Sequence, residues 1–286
     1  MNVVVTGATG LLGGWVVAAL TERGDRVVAF GGPGRGEGAI DLAEPRAAAR
    51  ALEDARADVV IHTAALSAMS DCARDPERAR RINVDATANL ARACAATRTR
   101  LVHVSTDLVF DGERAPYDEA ARAEPTSVYG RTKLESESAA LAAPNGAVVR
   151  VSLLFGPSKN DRVGFFDTQV RALRAGTELR LFDDEWRTPL SLRTAAEGLR
   201  AIAASSFTGL LHFAGAERIG RWEMGVVLAD VLGVEASAIV RASRREVPGE
   251  PRPRDVSLDV SLFRRTFPGV ELAPFGEECR RLIGRS

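Results

Sequence analysis

A tyrosine and a lysine stand four residues apart in the segment Tyr129-Gly-Arg-Thr-Lys133. On a helix this spacing places both side chains on one face, one turn from each other. A free phenol has a pKa near ~10, and a cation held beside it favours the phenolate and lowers that pKa. Such a pair can pass a proton to or from a carbonyl oxygen while another group carries a hydride. By itself the pattern is more often an exposed helix start with a solvated lysine, so the surrounding elements decide.

Three glycines, Gly7, Gly10 and Gly13, lie between two predicted strands at residues 3–5 and 26–30. The apolar stretch after the glycines predicts a helix, so the order is strand, glycine turn, helix, strand. Glycines allow a tight turn that approaches a pyrophosphate closely, and the helix amino terminus supplies N–H donors. This context favours a dinucleotide site over a glycine turn without a ligand.

The rest of the chain alternates between predicted strands and helices. Further strands are predicted at residues 58–61, 101–104, 147–151, 178–182 and 210–214. Helices are predicted at residues 44–55, 76–97, 163–175, 194–204, 222–232 and 277–283, and a helix capped by Thr126 or Ser127 carries Tyr129. This alternation predicts an α/β fold, a Rossmann-type doubly wound parallel sheet with a smaller C-terminal substrate-binding lobe.

The predicted elements also suggest a division into two parts. We expect residues 1–155 to form the dinucleotide-binding domain, which the chain rejoins at about 190–215. Residues 156–189 and 216–286 would form the smaller lobe that shapes the substrate cleft.

Composition excludes several classes of partner. The 286 residues carry 38 Lys and Arg against 38 Asp and Glu, a formal net charge of +0. Because no basic field or basic amphipathic helix is evident, we expect neither nucleic acid nor a membrane as partner. Cys72, Cys94 and Cys279 are too scattered for a disulfide framework or a zinc site, so we expect a cytoplasmic protein without a metal. The amino terminus shows no signal-peptide pattern, and no apolar run approaches the ~18 residues of a membrane helix.

Five short landmarks occur together: Gly7-x-x-Gly10-x-x-Gly13, Asp41-Leu42, His62-Thr-Ala-Ala65, Ser105-Thr106-Asp107 and Tyr129-x-x-x-Lys133. In this combination the chain resembles the extended short-chain dehydrogenase/reductase superfamily. Two segments within it are similar to the dTDP-4-dehydrorhamnose reductase family: Ser105-Thr-Asp-Leu-Val-Phe-Asp-Gly112 and Val128-Tyr-Gly-Arg-Thr-Lys-Leu-Glu135. Two further segments are similar to that family's later landmarks: Arg187-Thr-Pro189 and Arg252-Pro-Arg-Asp-Val-Ser-Leu-Asp259.

The resemblance implies an NAD(P)-dependent oxidoreductase that reduces a nucleotide-linked 4-keto-6-deoxy sugar. Thr106 would hydrogen-bond the substrate carbonyl, Tyr129 would donate the proton, and Lys133 would hold the nicotinamide ribose and tune Tyr129. The cofactor would also contact Gly7, Thr9, Gly10, Leu11, Leu12, Gly13, Asp41, Leu42, Ala64, Ala65 and Ser105. The substrate would contact Ser67, Asp107, Leu108, Leu153, Arg187 and Arg252.

Two positions depart from the family's pattern. Members that reduce the rhamnose precursor usually have an aromatic residue where Leu108 stands, and often another where Leu153 stands. Because both positions would face the sugar, the identity of the sugar is open.

The end of the second predicted strand bears on the choice of cofactor. Residues 26–30 are followed by Gly31-Gly32, without the carboxylate that holds the ribose 2′-hydroxyl in enzymes that prefer NAD. A 2′-phosphate would meet no repulsive charge there, and Arg35 is close enough in sequence to pair with it. We therefore expect NADPH, with NADH possible if the glycine loop is merely flexible.

Other functions and roles stay open at this stage. An epimerase or dehydratase of the same superfamily is one alternative, although dehydratases have an acidic residue where Leu108 follows Asp107. A non-catalytic dinucleotide-binding regulatory subunit, similar to that of methionine adenosyltransferase, is another. Asp107 is equally typical of a turn carboxylate, and Arg252 of a solvated loop. A nucleotide-sugar is the expected small-molecule partner, and a homodimer is possible. Three histidines without metal-ligand spacing are expected in or near the core: His62, His103 and His212.

Overall fold

The computed structural model describes residues 1–34, 38–160 and 162–284. Arg35, which the sequence assigns to the cofactor phosphate, lies outside the described residues. The strands are β1 (Asn2–Thr6), β2 (Arg26–Phe30), β3 (Val59–His62), β4 (Arg100–Thr106), β5 (Ala147–Val151), β6 (Leu154–Phe155), β7 (Leu179–Phe182), β8 (Trp186–Arg187), β9 (Leu190–Ser191), β10 (Gly209–Phe213), β11 (Ile219–Gly220) and β12 (Ile239–Ala242). The α-helices are α1 (Leu11–Glu22), α2 (Pro45–Ala55), α3 (Met69–Arg74), α4 (Pro76–Arg80), α5 (Ala86–Thr97), α6 (Val128–Leu141), α7 (Phe165–Arg174), α8 (Leu192–Ala203), α9 (Arg221–Leu232), α10 (Ser261–Thr266) and α11 (Phe275–Ile283).

Six strands form one parallel sheet in the order β10-β5-β4-β3-β1-β2. The β-branched run in β1 is buried, and its alternate residues enter different cores because successive side chains point to opposite faces. Val3 and Val5 belong to the core that contains α8 residues, whereas Val4 belongs to the core that contains α2 and α5 residues. The predicted doubly wound parallel sheet is confirmed.

A third core lies outside the sheet. Phe155, Phe166, Leu228 and Phe275 are among its buried members, which come from α7, α9, α11 and the short strands near them. Strand β10 meanwhile pairs with β5 and so returns the chain to the main sheet. The division into a dinucleotide-binding domain and a smaller lobe stays a prediction. The separate third core is compatible with it.

The helix predicted at residues 76–97 is interrupted by a π-helical turn at Arg81–Asp85. Its buried Asn83 accepts a hydrogen bond from Leu66 N at 2.8 Å and donates to Thr132 Oγ1 at 3.0 Å. This wider turn lets one side chain connect the segment after β3 to helix α6, and π-turns of this kind are frequent at functional sites. None of the described helices is both long and apolar enough to cross a membrane.

Candidate active site

The candidate site lies at the edge of the sheet where parallel strands reach their carboxyl ends. β1 ends at Thr6, β3 at His62 and β4 at Thr106. The chain order reverses at β1, because β2 lies on one side of it and β3 on the other. In open α/β sheets, ligands bind in the crevice outside the carboxyl ends at such a reversal. The glycine turn follows β1 and therefore belongs to this edge.

Each glycine of the turn has its own geometric reason. Gly7 has φ +73°, in the left-handed region, and a Cβ there would stand 2.6 Å from the Ala64 nitrogen. A Cβ on Gly13 would stand 2.1 Å from the Gly7 carbonyl oxygen, so Gly13 lets α1 pack against the turn. Among the described residues, a Cβ on Gly10 would meet one atom within 4 Å, the Gly7 oxygen at 3.0 Å. Gly10 is the N-cap of α1, so this open space is where an anionic group would bind.

We expect Gly10→Val to fold and to bind a dinucleotide at least ~10-fold more weakly, because the side chain would occupy the phosphate space. Titration with NADPH measures the affinity, and circular dichroism monitors folding. Gly13→Val is the matched control: its Cβ would collide with backbone, so we expect a lower Tm in addition. A folded Gly10→Val protein with unchanged NADPH affinity would contradict the assignment of the turn.

The turn is also held by a residue that sequence reasoning missed. Asn160 Nδ2 donates to the carbonyl oxygens of Thr9 at 3.1 Å and Gly10 at 3.0 Å. Asn160 lies in the segment between β6 and α7, far along the chain from the turn that it contacts. No motif marks it, so this link is visible only in the tertiary structure.

Residues assigned to the adenosine end of the cofactor occupy different environments. The Asp41 carboxylate accepts hydrogen bonds from Arg81 and from Ala43 N. Leu12 and Leu42 are both buried in the core, so a cofactor would reach them through the backbone. Four of the residues that the sequence assigns to the cofactor are partly buried beside the crevice: Thr9, Leu11, Ala64 and Ala65.

Thr106 and Tyr129 are brought together where β4 ends. The two side chains are close enough for the Thr106 hydroxyl to lower the pKa of Tyr129. Thr106 Oγ1 also lies 3.2 Å from Asp107 Oδ1 and accepts from Leu108 N at 3.2 Å. Ser127 caps α6 by accepting a hydrogen bond from Gly130 N at 3.1 Å, and so begins the helix just before Tyr129. Two hydroxyl groups held side by side in this way can bind one carbonyl oxygen.

Burial raises the pKa of Tyr129 above its ordinary value. The Asp107 carboxylate adds to this rise, while the hydrogen bond with Thr106 opposes it. This direction is opposite to the one expected from the neighbouring lysine, so the expectation that Lys133 lowers the phenol's pKa is wrong for this structure. Lys133 is not among the groups that shift this pKa, and burial dominates because the phenolate would lose solvation. A phenol with a raised pKa stays protonated at neutral pH, which suits a proton donor.

Lys133 is buried directly beneath Tyr129 on the helix. Its ammonium Nζ lies 3.2 Å from His103 Nε2. Burial lowers the pKa of Lys133 to about 8, and the Glu137 carboxylate acts in the opposite direction. Ser105, which the sequence assigns to the cofactor, instead donates to Glu137 Oε1 at 2.5 Å. Glu137 also pairs with Arg150 at 2.7 Å, so a buried polar cluster supports the helix from behind.

The three histidines are fully buried, which confirms the expectation that they belong to the core. His62 bridges Thr6 Oγ1 at 2.6 Å and Thr87 Oγ1 at 3.0 Å, so it joins strands and helix rather than facing solvent. Burial lowers the pKa of His62 to about 3 and that of His212 to about 4, and it holds the pKa of His103 well below the ordinary value. All three are neutral at physiological pH.

The family pattern of the RmlD substrate binding domain matches residues 1–286. The chain belongs to this family. It is 31% identical over 283 residues to the methionine adenosyltransferase 2 subunit beta of Bos taurus, covering 91% of this chain and 80% of that protein. It is 33% identical over 262 residues to a dTDP-4-dehydrorhamnose reductase of Mycobacterium tuberculosis, and the match covers 88% of this chain and 82% of that protein. The dTDP-4-dehydrorhamnose reductase of Bacillus anthracis, solved in complex with NADP, is similar with a TM-score of 0.90, 22% identity and 99% coverage of both chains. The resemblance drawn from the sequence is therefore confirmed at the level of the family.

This member of the RmlD family has three arginines around one carboxylate. Glu185 is 1% exposed, and Arg252 contacts it with Nε at 2.8 Å and Nη2 at 3.2 Å. Arg187 Nη2 lies 3.3 Å and Arg221 Nε 3.9 Å from the same carboxyl group. The cluster thus brings together Arg187 and Arg252, which the sequence predicts, and Arg221, which it does not. Three cations face one anion, so the cluster carries excess positive charge.

Arg221 has a buried atom without a partner. Its Nη1 is inaccessible to solvent and makes no hydrogen bond within residues 1–34, 38–160 and 162–284. Burial lowers the pKa of Arg221 to about 10, and Arg187 and Arg252 add to this fall while Glu185 opposes it. Because a buried guanidinium donor is costly to leave unpaired, the cluster is a candidate for an anionic ligand. Arg221 is the first residue of α9 and belongs to no motif that the sequence analysis identifies.

Asp107 contacts both Thr106 and the arginine cluster, which consists of Arg187, Arg221 and Arg252 around Glu185. Its carboxylate accepts from Ser152 Oγ at 2.7 Å and lies 3.8 Å from Arg187 Nε. Burial raises its pKa, against the effect of Arg187 and the two hydroxyl contacts. The remaining predicted substrate residues differ in exposure: Leu108 and Leu153 are partly buried, and Ser67 is exposed after β3.

Proposed function

We propose that this protein is an NAD(P)H-dependent reductase of a nucleotide-linked 4-keto-6-deoxy sugar. The observation that carries the proposal is the proximity of the Thr106 and Tyr129 hydroxyls at the same sheet edge as the glycine turn. The pair offers two hydroxyls to one carbonyl oxygen, and the turn offers a site for a dinucleotide. The 33% identity to a dTDP-4-dehydrorhamnose reductase supports the substrate class.

The residues present fit a nicotinamide dinucleotide. The space beside Gly10, which a Cβ would fill, lies at the amino terminus of α1, where N–H donors and the helix dipole favour a pyrophosphate. NADP is bound by the similar Bacillus anthracis protein. We propose NADPH over NADH because β2 ends at Phe30 and is followed by glycines rather than by a carboxylate. When bound, this cofactor would supply the hydride.

The chain's own residues would handle the oxygen and the proton. The Thr106 hydroxyl and the Tyr129 phenol would hold the ketone oxygen, which fixes the carbonyl carbon for hydride attack. As a C–H bond forms at that carbon, the oxygen becomes negative and takes the phenol proton, so the ketone is reduced to an alcohol. Lys133 then stabilises the phenolate electrostatically until it regains a proton from water. Thr106 Oγ1 donates its one hydrogen to the buried Asp107 Oδ1 at 3.2 Å in the structure, so this hydrogen would turn to the ketone oxygen when the substrate binds.

The arginine cluster would bind the diphosphate of the nucleotide. Arg187, Arg221 and Arg252 present several N–H donors, and guanidinium groups bind phosphate oxygens bidentately. Arg221 Nη1 lacks a partner but is inaccessible in the structure, so a phosphate oxygen would reach it only after a side chain of the cluster moves. The buried Asp107 contacts both Arg187 in this cluster and Thr106, so the diphosphate site and the ketone site would share this carboxylate.

A second candidate is a non-catalytic regulatory subunit. The 31% identity to the methionine adenosyltransferase 2 subunit beta favours it, since that protein is named as a subunit rather than as an enzyme of this type. A silent subunit would bind the dinucleotide without turnover. The intact Thr106, Tyr129 and Lys133 favour the reductase.

Two measurements separate these candidates. Enhancement of NADPH fluorescence on mixing with the protein tests binding, and its loss on adding nucleotide-linked 4-keto-6-deoxy sugars tests turnover. We expect binding and turnover, with kcat/KM higher for NADPH than for NADH. Binding without turnover across the whole panel would favour the regulatory subunit, and an absence of binding would refute both.

A further inference from the structure

A buried lysine and a buried histidine meet beneath the candidate site. Lys133 Nζ lies 3.2 Å from His103 Nε2, and the two residues are 2% and 0% exposed. Lys133 belongs to α6 and His103 to β4. The contact therefore joins the helix that carries Tyr129 to the strand that ends in Thr106.

The available hydrogens determine which group donates. A lysine ammonium has three donors and no acceptor, so His103 Nε2 must present its lone pair to Lys133. Ser136 Oγ lies 2.9 Å from the same nitrogen and 2.7 Å from the Lys133 carbonyl oxygen, and its one hydrogen can be donated to either acceptor. The His103 proton is therefore on Nδ1, which is buried and has no partner in the described part of the chain. An unpartnered buried N–H is unfavourable, so the lysine contact must compensate for it.

The charges around Lys133 make this acceptor important. Glu137, on the same helix, favours the ammonium, whereas burial opposes it and brings the pKa of Lys133 to about 8. His103 on β4 and His62 on β3 face the lysine as neutral rings, because burial holds both pKa values far down. The two rings stack with 5.1 Å between centroids. The lone pair on His103 Nε2 is thus a direct acceptor in a site that otherwise disfavours the charge.

We propose that His103 is a positioning residue that holds the Lys133 ammonium in place for the ribose hydroxyls of a bound dinucleotide, an inference that rests on the cofactor assignment above. One of the three Nζ hydrogens is used on His103, and the other two have no hydrogen-bond partner within residues 1–34, 38–160 and 162–284, so they are available to a ligand. The buried histidine contacts the Lys133 ammonium and would act on the cofactor only through Lys133.

His103→Phe keeps a ring against His62 and removes the acceptor. We expect NADPH affinity to fall by ~10-fold, as for one lost charge-assisted hydrogen bond. His103→Gln is the matched control, because its amide oxygen can accept from Lys133, and we expect affinity within ~3-fold of the parent. The parent's affinity should fall as pH rises through about 8, and that midpoint should lie at lower pH in His103→Phe. Equal losses in both variants with an unmoved midpoint would show a packing role and overturn the proposal.

A second test needs no cofactor. The single variants His103→Phe and Lys133→Met and the double variant form a cycle, measured by urea unfolding of the protein alone. We expect the two changes to be non-additive by ~10-fold in the unfolding equilibrium constant. Additivity within ~2-fold would overturn the inference. A coupled cycle in a protein that binds no NADPH would refute the cofactor assignment alone, so the two failures are distinguishable.

Discussion

Tyr129→Phe is expected to lower the turnover of NADPH-dependent ketone reduction by ~10²–10⁴-fold and to leave NADPH affinity nearly unchanged. The variant keeps the ring and removes the proton that the developing alkoxide needs. Because burial and Asp107 raise the pKa of Tyr129, the parent phenol stays protonated across neutral pH and turnover should not fall there for want of the acid. Stopped-flow oxidation of NADPH measures the rate, and fluorescence titration measures the affinity.

Tyr117 supplies a matched control, since the chain has two tyrosines. The Tyr117 phenol accepts backbone N–H groups of Gly112 at 3.0 Å, Glu113 at 2.8 Å and Arg114 at 3.0 Å, and it donates to Asp111. Tyr117→Phe should therefore lower stability and leave turnover near the parent value below the unfolding temperature. If Tyr129→Phe turned over at the parent rate, Tyr129 would not be the proton donor.

The protein is expected to unfold in mild acid, near pH 5, because its histidines are buried as neutral rings. The pKa of His62 is about 3, that of His212 about 4, and that of His103 well below its ordinary value. Each unfolded histidine titrates near ~6.5, so the unfolded state binds more protons than the native state below that pH. The stability that these neutral rings contribute is therefore fully present above pH ~6.5, and it is lost as the pH falls below that value.

The expected loss is large. His62 and His212 together lose about 3 kcal/mol between pH 6.5 and pH 5, and His103 adds to this loss, so the decrease is a large fraction of the stability of a typical domain. Carboxylates with lowered pKa values, such as Glu185 and Asp255, weaken the fold only at still lower pH. Far-ultraviolet circular dichroism against pH, combined with urea unfolding at each pH, measures the effect.

His212 offers the control, since its two ring nitrogens have partners. His212 Nδ1 lies 3.1 Å from the Tyr117 carbonyl oxygen, and Arg150 Nη1 lies 3.4 Å from Nε2. His212→Gln can keep one donor and one acceptor without a titrating ring, so it should reduce the slope of stability against pH below ~6.5 by about a third. Stability that is flat from pH 7 to pH 5 in the parent would show that these rings are not held neutral.

The features recoverable from sequence depend on near neighbours along the chain. Gly7, Gly10 and Gly13 are recognised because a turn and a helix start impose local backbone requirements. Tyr129 and Lys133 are recognised because an i, i+4 spacing has the same meaning on every helix. The parallel sheet follows from the alternation of strands and helices, since crossovers are right-handed and helices must cover both faces. The five longer sheet strands were predicted within a few residues for the same reason.

Tertiary structure decides whatever depends on contacts between distant segments. Asn160 reaches the glycine turn and Arg221 reaches Glu185 only after segments far apart in the sequence have packed together, so no local pattern identifies either residue. The direction of the Tyr129 pKa shift was mispredicted for a related reason. Spacing placed a cation near the phenol, whereas burial, which only the folded chain defines, removed the solvation that a phenolate needs. The sequence by itself therefore determined the fold class and predicted which groups react, and the packing of distant segments determined the protonation states of those groups and the arginines beside them.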